Sequence, residues 1–294
     1  MHEDELAVDE ELVHRLVCQQ FPQWAGLAIE QVRSAGTENA IFRIGERLAA
    51  RLPLRSREPA EALAALTAEV AAAAEFAAVS PVPGPEPIAI GLPGAGYPLS
   101  WSVQTWLPGH DAVAEDPAGS TAFALDLAAL ITGLRAADTR GRRFDGTNRG
   151  GRLPDHDEWL QLCFRESEDL LDVPRCRALW NELRQLPEVD PDLMCHTDLT
   201  PPNVLVRDGR LVGVLDSGGF AAADPALDLV GAWHLLDDRQ RLVFREALGC
   251  GDLQWQRGMA WAFEQAMGLV WYYAESNPVM SSWGRRTLDR LLAT

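Results

Sequence analysis

Apolar residues recur along this chain with two periods, and the change from one to the other divides it. Leu12, Val13, Leu16 and Val17 fall at helical spacing and predict an opening helix that stops before Pro22. Three short strands are expected next, over Ala28–Ser34, Ala40–Ile44 and Leu48–Leu52, with Ala35-Gly36-Thr37-Glu38-Asn39 as a tight hairpin turn. An alanine-rich helix follows, with Pro59 near its first turn and Leu63, Leu66, Val70 and Ala73 on one stripe. The proline-rich run from Pro81 to Pro87 ends it, because proline lacks the amide hydrogen a helix needs. Strands at Ile88–Ile90 and Leu99–Trp106 lead into Leu107-Pro108-Gly109. A boundary is placed there, between an N-terminal unit of residues 1–106 and a C-terminal unit of residues 107–294.

Beyond the boundary the pattern is mostly helical, with Phe123, Leu127, Leu130 and Leu134 on one face and a second helix from Trp159 to Leu171. The exception is Leu193 to Leu215. There the apolar runs Val204–Val206 and Leu211–Leu215 flank the turn Arg207-Asp208-Gly209-Arg210, a hairpin inside a helical region. Helices resume after Pro225, with Asp224 expected as an N-cap and the proline at the first helical position. No internal repeat is visible.

Charge narrows the function classes. The 294 residues carry 43 acids against 26 bases, a net charge of −17, which argues against nucleic acid or an anionic membrane surface as partner and favours a cationic ligand. Every base is arginine; the chain has no lysine. Schiff-base chemistry, pyridoxal phosphate and a Walker-A phosphate loop are thereby excluded, since each needs an ε-amino group. Arginine stays protonated, so any general base must be a carboxylate or a histidine. The cysteines (Cys18, Cys163, Cys176, Cys195, Cys250) are scattered, odd in number and never paired as C-x-x-C, which predicts a reduced, cytoplasmic protein without structural zinc. The start, MHEDELAVDE, is acidic where a signal peptide would be basic and then apolar. The longest uncharged stretch, from Pro87 to Gly109, is too broken by Gly and Pro to form a membrane helix.

The hairpin region holds the candidate chemistry: His196-Thr197-Asp198-Leu199-Thr200-Pro201-Pro202-Asn203, then Val214-Leu215-Asp216, then Asp224-Pro225-Ala226-Leu227-Asp228. A loop carboxylate, an asparagine five residues on and a strand-end aspartate suit phosphoryl transfer. The first can orient and deprotonate a hydroxyl, and the other two are hard oxygen ligands for Mg²⁺ on nucleotide phosphates. The stretch resembles the catalytic region of the aminoglycoside phosphotransferase family, antibiotic kinases that share the protein-kinase fold. The usual form is H-G-D-x-x-x-x-N, a strand-end aspartate and D-P-x-x-D; here Thr197 replaces the glycine, and Asp216-Ser217-Gly218 stands where kinases have D-F-G. The resemblance implies Asp198 as catalytic base and Asn203 with Asp216 as Mg²⁺ ligands, with Asp224 and Asp228 as architectural supports. The alternative for each residue taken singly is a surface carboxylate or an Asx-turn asparagine.

The N-terminal unit fits the same family. Gly36 and Thr37 lie where a phosphate-covering hairpin belongs, although a plain β-turn accounts for one glycine as well. Arg51, in Leu48-Ala49-Ala50-Arg51-Leu52-Pro53, occupies the third strand, where protein kinases use lysine, and resembles macrolide phosphotransferases in its R-[IL]-P. A guanidinium can grip phosphate oxygens bidentately. Glu69, three residues after Leu66, is placed to pair with Arg51; Glu61 and Glu75 compete for that role. Gln104-Thr105-Trp106 resembles the linker whose amides read a purine edge, against a bare strand end. His196 reads as a structural hydrogen-bonder, and His110, His156 and His234 show no metal spacing. The C-terminal aromatics and acids (Trp255, Trp261, Glu264, Trp271, Tyr272, Tyr273, Glu275, Trp283) have the spacing of a helical core, and in the family such helices wall the acceptor pocket.

The expectation is an α+β, two-lobed, protein-kinase-like fold. It implies an enzyme that moves the γ-phosphoryl group of ATP or GTP, with Mg²⁺, to a hydroxyl of an aminoglycoside, macrolide or other amino-sugar or nucleoside antibiotic. A metabolite kinase with a choline, homoserine or sugar acceptor would share every catalytic residue. A metal-dependent hydrolase would leave Arg51, Glu69 and the first hairpin unexplained, and a pseudokinase would normally have lost one of Asp198, Asn203 and Asp216.

Overall fold

The computed structural model describes residues 6–32, 38–146, 149–189 and 191–293. Contacts group them into two units: the chain up to Ala78 with Pro83–Pro108 and Leu215–Gly218, and Val79–Val82 with Gly109–Val214 and everything from Gly219 on. The four-residue segment Leu215–Gly218 thus returns to the N-terminal unit, a feature no local pattern in the sequence announces.

In the first unit, helix α1 (Glu10–Gln20) is capped by Asp9, whose side chain accepts from the Leu12 amide, and it buries Leu12, Val13, Leu16 and Val17. Strands β1 (Ile29–Val32), β2 (Asn39–Ile44), β3 (Leu48–Pro53), β4 (Pro87–Gly91) and β5 (Trp101–Thr105) form an antiparallel sheet in the order β1-β2-β3-β5-β4. Successive side chains alternate between faces, so Ala40, Phe42 and Ile44 of β2 enter the core with Ala50 and Leu52 of β3. The same alternation turns Arg51 to the opposite face, opposite Ile41 on one side and Ser102 on the other.

Helix α2 (Pro59–Val79) follows. Its buried residues are Ala62, Leu66 and Phe76, and Leu63, expected on the apolar stripe, is exposed. The helix is so rich in alanine that its polarity pattern is nearly flat, and a one-residue rotation moves Ala62 inward in place of Leu63. By length and composition α2 is apolar enough to cross a membrane, although Glu61, Glu69 and Glu75 lie along it.

The second unit is helical around two small ladders. Strands β6 (His110–Asp111), β8 (Val204–Arg207) and β9 (Arg210–Val214) make one sheet, and β7 (Leu193–Cys195) pairs with β10 (Ala221–Ala223) in the other. The β8–β9 turn places Asp208 and Gly209 at φ 52° and 67°, the two left-handed residues of a type I′ hairpin. The helices are α3 (Thr121–Arg135), α4 (Asp157–Glu166), α5 (Val173–Leu183), α6 (Val230–Leu235), α7 (Asp238–Leu248), α8 (Asp252–Tyr272) and α9 (Pro278–Leu292). The expected helix from Trp159 to Leu171 is shorter, ending at Glu166, and a separate helix starts after Asp172, whose side chain caps it. Trp180, Trp233, Trp261 and Phe263 fill the core. Gly258 of α8 lets that helix lie against Leu229, since a Cβ there would come within 2.5 Å of the leucine Cβ.

Asp224 departs from its expected role. Its Oδ1 accepts from the Ala226 amide, but the first helical turn begins only at Leu227, and Oδ2 accepts from Arg257 and from Trp261 Nε1. The residue is 5% exposed, and a carboxylate that deep is stable only with fixed donors around it. The guanidinium therefore replaces the helix amides as its main partner.

Candidate active site

Within the first unit, Arg51, Glu69, Ser102, Gln104 and Asp216 line one pocket. Strand β3 delivers Arg51 from its non-core face, and Nη2 donates to Asp216 Oδ1 at 2.7 Å. Burial works against the charged guanidinium, but Asp216, Glu69 and Glu38 attract it and hold its proton more firmly than usual. Asp216 has φ 58°, the left-handed conformation, which turns its carboxylate out of the chain direction set by β9. Two residues later Gly218 packs so closely on α2 that a Cβ would lie 3.0 Å from the Cβ of Glu69, so glycine there brings the Asp216 segment against the helix.

Glu69, named as the partner of Arg51, shares its pocket and its field, while the hydrogen bond of Arg51 described here goes to Asp216. Although exposed, the Glu69 carboxyl loses enough hydration beside the pocket wall to sit above its usual range, against the pull of Arg51. Gln104 reaches the pocket from β5. Trp106 lies just past that strand; its amide donates to the Arg47 carbonyl and its ring lies under the Arg43 guanidinium at 5.2 Å. Gly36 and Thr37 lie outside the described residues.

In the second unit, the loop between β7 and β8 carries Asp198 and Asn203. Asp228, fully buried, accepts from the His196 amide on Oδ2 at 2.9 Å and from the Thr197 amide on Oδ1 at 2.8 Å. His196, also fully buried, accepts the Asp198 amide on Nδ1 at 3.3 Å, the structural role expected of it. Burial pushes the Asp228 carboxyl up, and His196 with the two amides pulls the other way. These bonds hold Thr197 at φ 72°, strained for a β-branched residue at the position where the family usually has glycine.

The loop so fixed presents the Asp198 carboxylate with both oxygens in use. Arg149 Nη1 donates to Oδ1 at 2.6 Å, and Asn203 Nδ2 donates to Oδ2 at 3.0 Å. Asn203 Nδ2 also bonds the Asp198 carbonyl and Thr200 Oγ1, so the amide nitrogen points into the loop and the amide oxygen is the group it can offer a cation. Among the described residues no cluster of three His, Cys, Asp or Glu could hold a metal alone; Asn203 in this unit and Asp216 in the first each carry a hard oxygen of the kind Mg²⁺ accepts.

Sequence reasoning missed Arg149 and, although it named His156, Trp261 and Glu264, not that they stand behind it. His156 bonds Glu264 through Nδ1 at 3.2 Å and the Gly150 carbonyl through Nε2 at 3.0 Å, with the Trp261 ring edge-on. The bond to Glu264 raises the imidazole's proton affinity above its usual value. The glycines at 146, 150 and 151 were the available signal of a shaped loop, but contacts spanning 49 residues, as between Arg149 and Asp198, leave no local trace.

Comparisons with known proteins define the class. The model of a phosphotransferase enzyme family matches residues 29–262. The chain therefore belongs to this phosphotransferase family, and its fold is the α+β, protein-kinase-like one, with an antiparallel sheet in the N-terminal region and helices in the C-terminal part. Among solved structures it is similar to aminoglycoside 2'-phosphotransferase-IIIa in its GDP complex, with a TM-score of 0.70 and 17% identity over 97% of this chain and 99% of that one. It is also similar to macrolide 2'-phosphotransferase MphH from Brachybacterium faecium, with a TM-score of 0.61 and 20% identity over 94% and 98%. A third is APH(2")-IIia in its GDP and kanamycin complex, with a TM-score of 0.66 and 18% identity over 96% and 98%. No curated protein matches the chain significantly in sequence.

Proposed function

We propose that this phosphotransferase is a small-molecule kinase. It moves the γ-phosphoryl group of ATP or GTP to a hydroxyl of an aminoglycoside, macrolide or other amino-sugar or nucleoside antibiotic, and so inactivates the drug in the cytoplasm. The observation that carries the reading is Asp198: a carboxylate on a rigid loop, oriented through Asn203 and reachable from solvent. The similar structures support it in kind, since one is a macrolide enzyme and two are GDP complexes, one of them also holding kanamycin.

Asp198 accepts the hydroxyl proton as the acceptor oxygen attacks phosphorus. Arg51 grips the nucleotide phosphates, and Gln104 contributes to the pocket that takes the nucleotide. Asn203 and Asp216 are the residues that would hold Mg²⁺, which when bound neutralises phosphate charge. A choline, homoserine or sugar kinase would use the same groups, so the acceptor is found by assay.

The test is nucleoside-diphosphate release from Mg-ATP and Mg-GTP across aminoglycosides, macrolides, nucleoside antibiotics and amino alcohols. Release with one antibiotic is expected, and Asp198→Asn should lower kcat by roughly 10²-fold or more. Turnover confined to an amino alcohol would reassign the enzyme to metabolism. Absence of nucleotide binding would overturn the kinase reading.

A further inference from the structure

We propose that Arg149 is a catalytic residue: its guanidinium yields Asp198 to the incoming hydroxyl and then binds the phosphoryl group as it arrives on that hydroxyl. The inference rests on the reading of Asp198 as the base. The loop from Asp198 to Asn203 carries no cation of its own, and the chain has no lysine. Among the described residues, Arg149 is the cation paired with Asp198, at 2.6 Å.

The pairing as it stands competes with catalysis. A hydroxyl must reach a carboxylate oxygen, and Arg149 and Asn203 already occupy a lone pair on each, the guanidinium also drawing off the negative charge a base needs. Asn203 Nδ2 lies within hydrogen-bond distance of three acceptors, whereas the Arg149 side chain is 46% exposed and has one hydrogen-bonded partner among the described residues, so Arg149 is the partner that gives way.

It does not leave the neighbourhood, because the loop behind it is built. The next residue, Gly150, is buried and its carbonyl is held by His156, itself tied to Glu264 on α8. Phe144 packs over Gly150 so tightly that a Cβ there would lie 2.8 Å from the ring, and the Phe144 amide donates to Asp192 Oδ2 at 2.8 Å. A guanidinium tethered there stays beside the oxygen that Asp198 deprotonates, which is the oxygen that receives phosphorus.

The step balances. The acceptor oxygen forms a bond to phosphorus, and its proton passes to Asp198. The bond from phosphorus to the bridging oxygen of the nucleoside diphosphate breaks, and that oxygen leaves with the electron pair. Arg149 keeps its protons throughout and lends positive charge to the oxygens of the transferring group, the role cationic side chains play in phosphoryl transfer.

The experiment compares wild type, Arg149→Ala and Arg149→Lys by nucleoside-diphosphate release, with the acceptor that wild type turns over or, without one, with water as acceptor. Arg149→Ala should lose roughly 10-fold or more in kcat with nucleotide affinity by calorimetry and melting temperature unchanged. Arg149→Lys should recover part of the loss, and free guanidinium at low millimolar concentration should restore Arg149→Ala. A kcat equal to or above wild type in Arg149→Ala would make the arginine a mere resting cap and overturn the inference, leaving the kinase reading intact. A loss that neither lysine nor guanidinium relieves would overturn it as well. A wild type that releases no diphosphate with any acceptor or with water would end the kinase reading, and this inference with it.

Discussion

The buried and the exposed aspartates of this chain use the same side chain in opposite ways. Asp224 and Asp228 are buried at 5% and 0% exposure, and every donor aimed at them is fixed: two backbone amides for one, Arg257, Trp261 and a backbone amide for the other. Asp198 and Asp216 face solvent to a greater degree, and each has an arginine on one oxygen. A buried carboxylate with fixed donors cannot exchange partners, so it shapes the backbone. A carboxylate whose partner is an arginine side chain can trade that partner for a hydroxyl or a cation. The comparison teaches that, on the proposed function, chemistry belongs to the acids whose neighbours can leave.

The largest effect that would break this contrast is on stability. Arg257→Met strands Asp224 without its guanidinium and should cost about 3–5 kcal/mol in denaturant unfolding. Asp216→Asn, which removes an exposed partner of Arg51, should cost under about 1 kcal/mol. Equal losses in the two variants would show that burial does not separate the two classes of acid.

Acid sharpens the same distinction. His234 is buried between Thr287 Oγ1 and Gln265 Oε1, and burial lowers its pKa to about 3. The unfolded chain takes up the proton near pH 6.5, so the stability contributed by neutral His234 is complete above that pH and is lost as pH falls toward 3. The slope is about 1.4 kcal/mol per pH unit from this one group. Unfolding midpoints between pH 7 and 4 should fall less steeply in His234→Gln; an unchanged slope would show that the imidazole is not held neutral.

The smallest effect concerns Thr197. Replacement by glycine at φ 72° should stabilise the fold by about 1 kcal/mol, since glycine reaches that conformation without strain. A destabilised Thr197→Gly would mean that the hydroxyl contact to the Gly219 carbonyl, at 3.5 Å, outweighs the strain.

Much of this was legible along the chain. The opening helix, the five strands of the first sheet and the β8–β9 hairpin follow from short-range spacing and turn chemistry, although the pairing of β3 with β5 joins residues more than fifty positions apart and was not legible. The orientation of α2 was not legible: with alanine on nearly every face, only the rest of the unit decides whether Ala62 or Leu63 turns inward. Asp224 misled for a related reason. Asp-Pro before a helical pattern is a sound cap signal, and nothing nearby indicates a guanidinium 33 residues away.

By itself, the sequence determined the residue types and their order: Arg51 on a strand, then Asp198, Asn203 and Asp216 at fixed intervals, with arginine as the only strong cation. Those depend on local propensity and on which side chains can move a proton or meet phosphate. Only the tertiary structure decided which acids are framework and which are exposed, that Leu215–Gly218 returns to the first unit, and that Arg149 meets Asp198. Each of those is set by burial and by contacts between residues far apart in the chain, and long-range contacts have no periodicity to read.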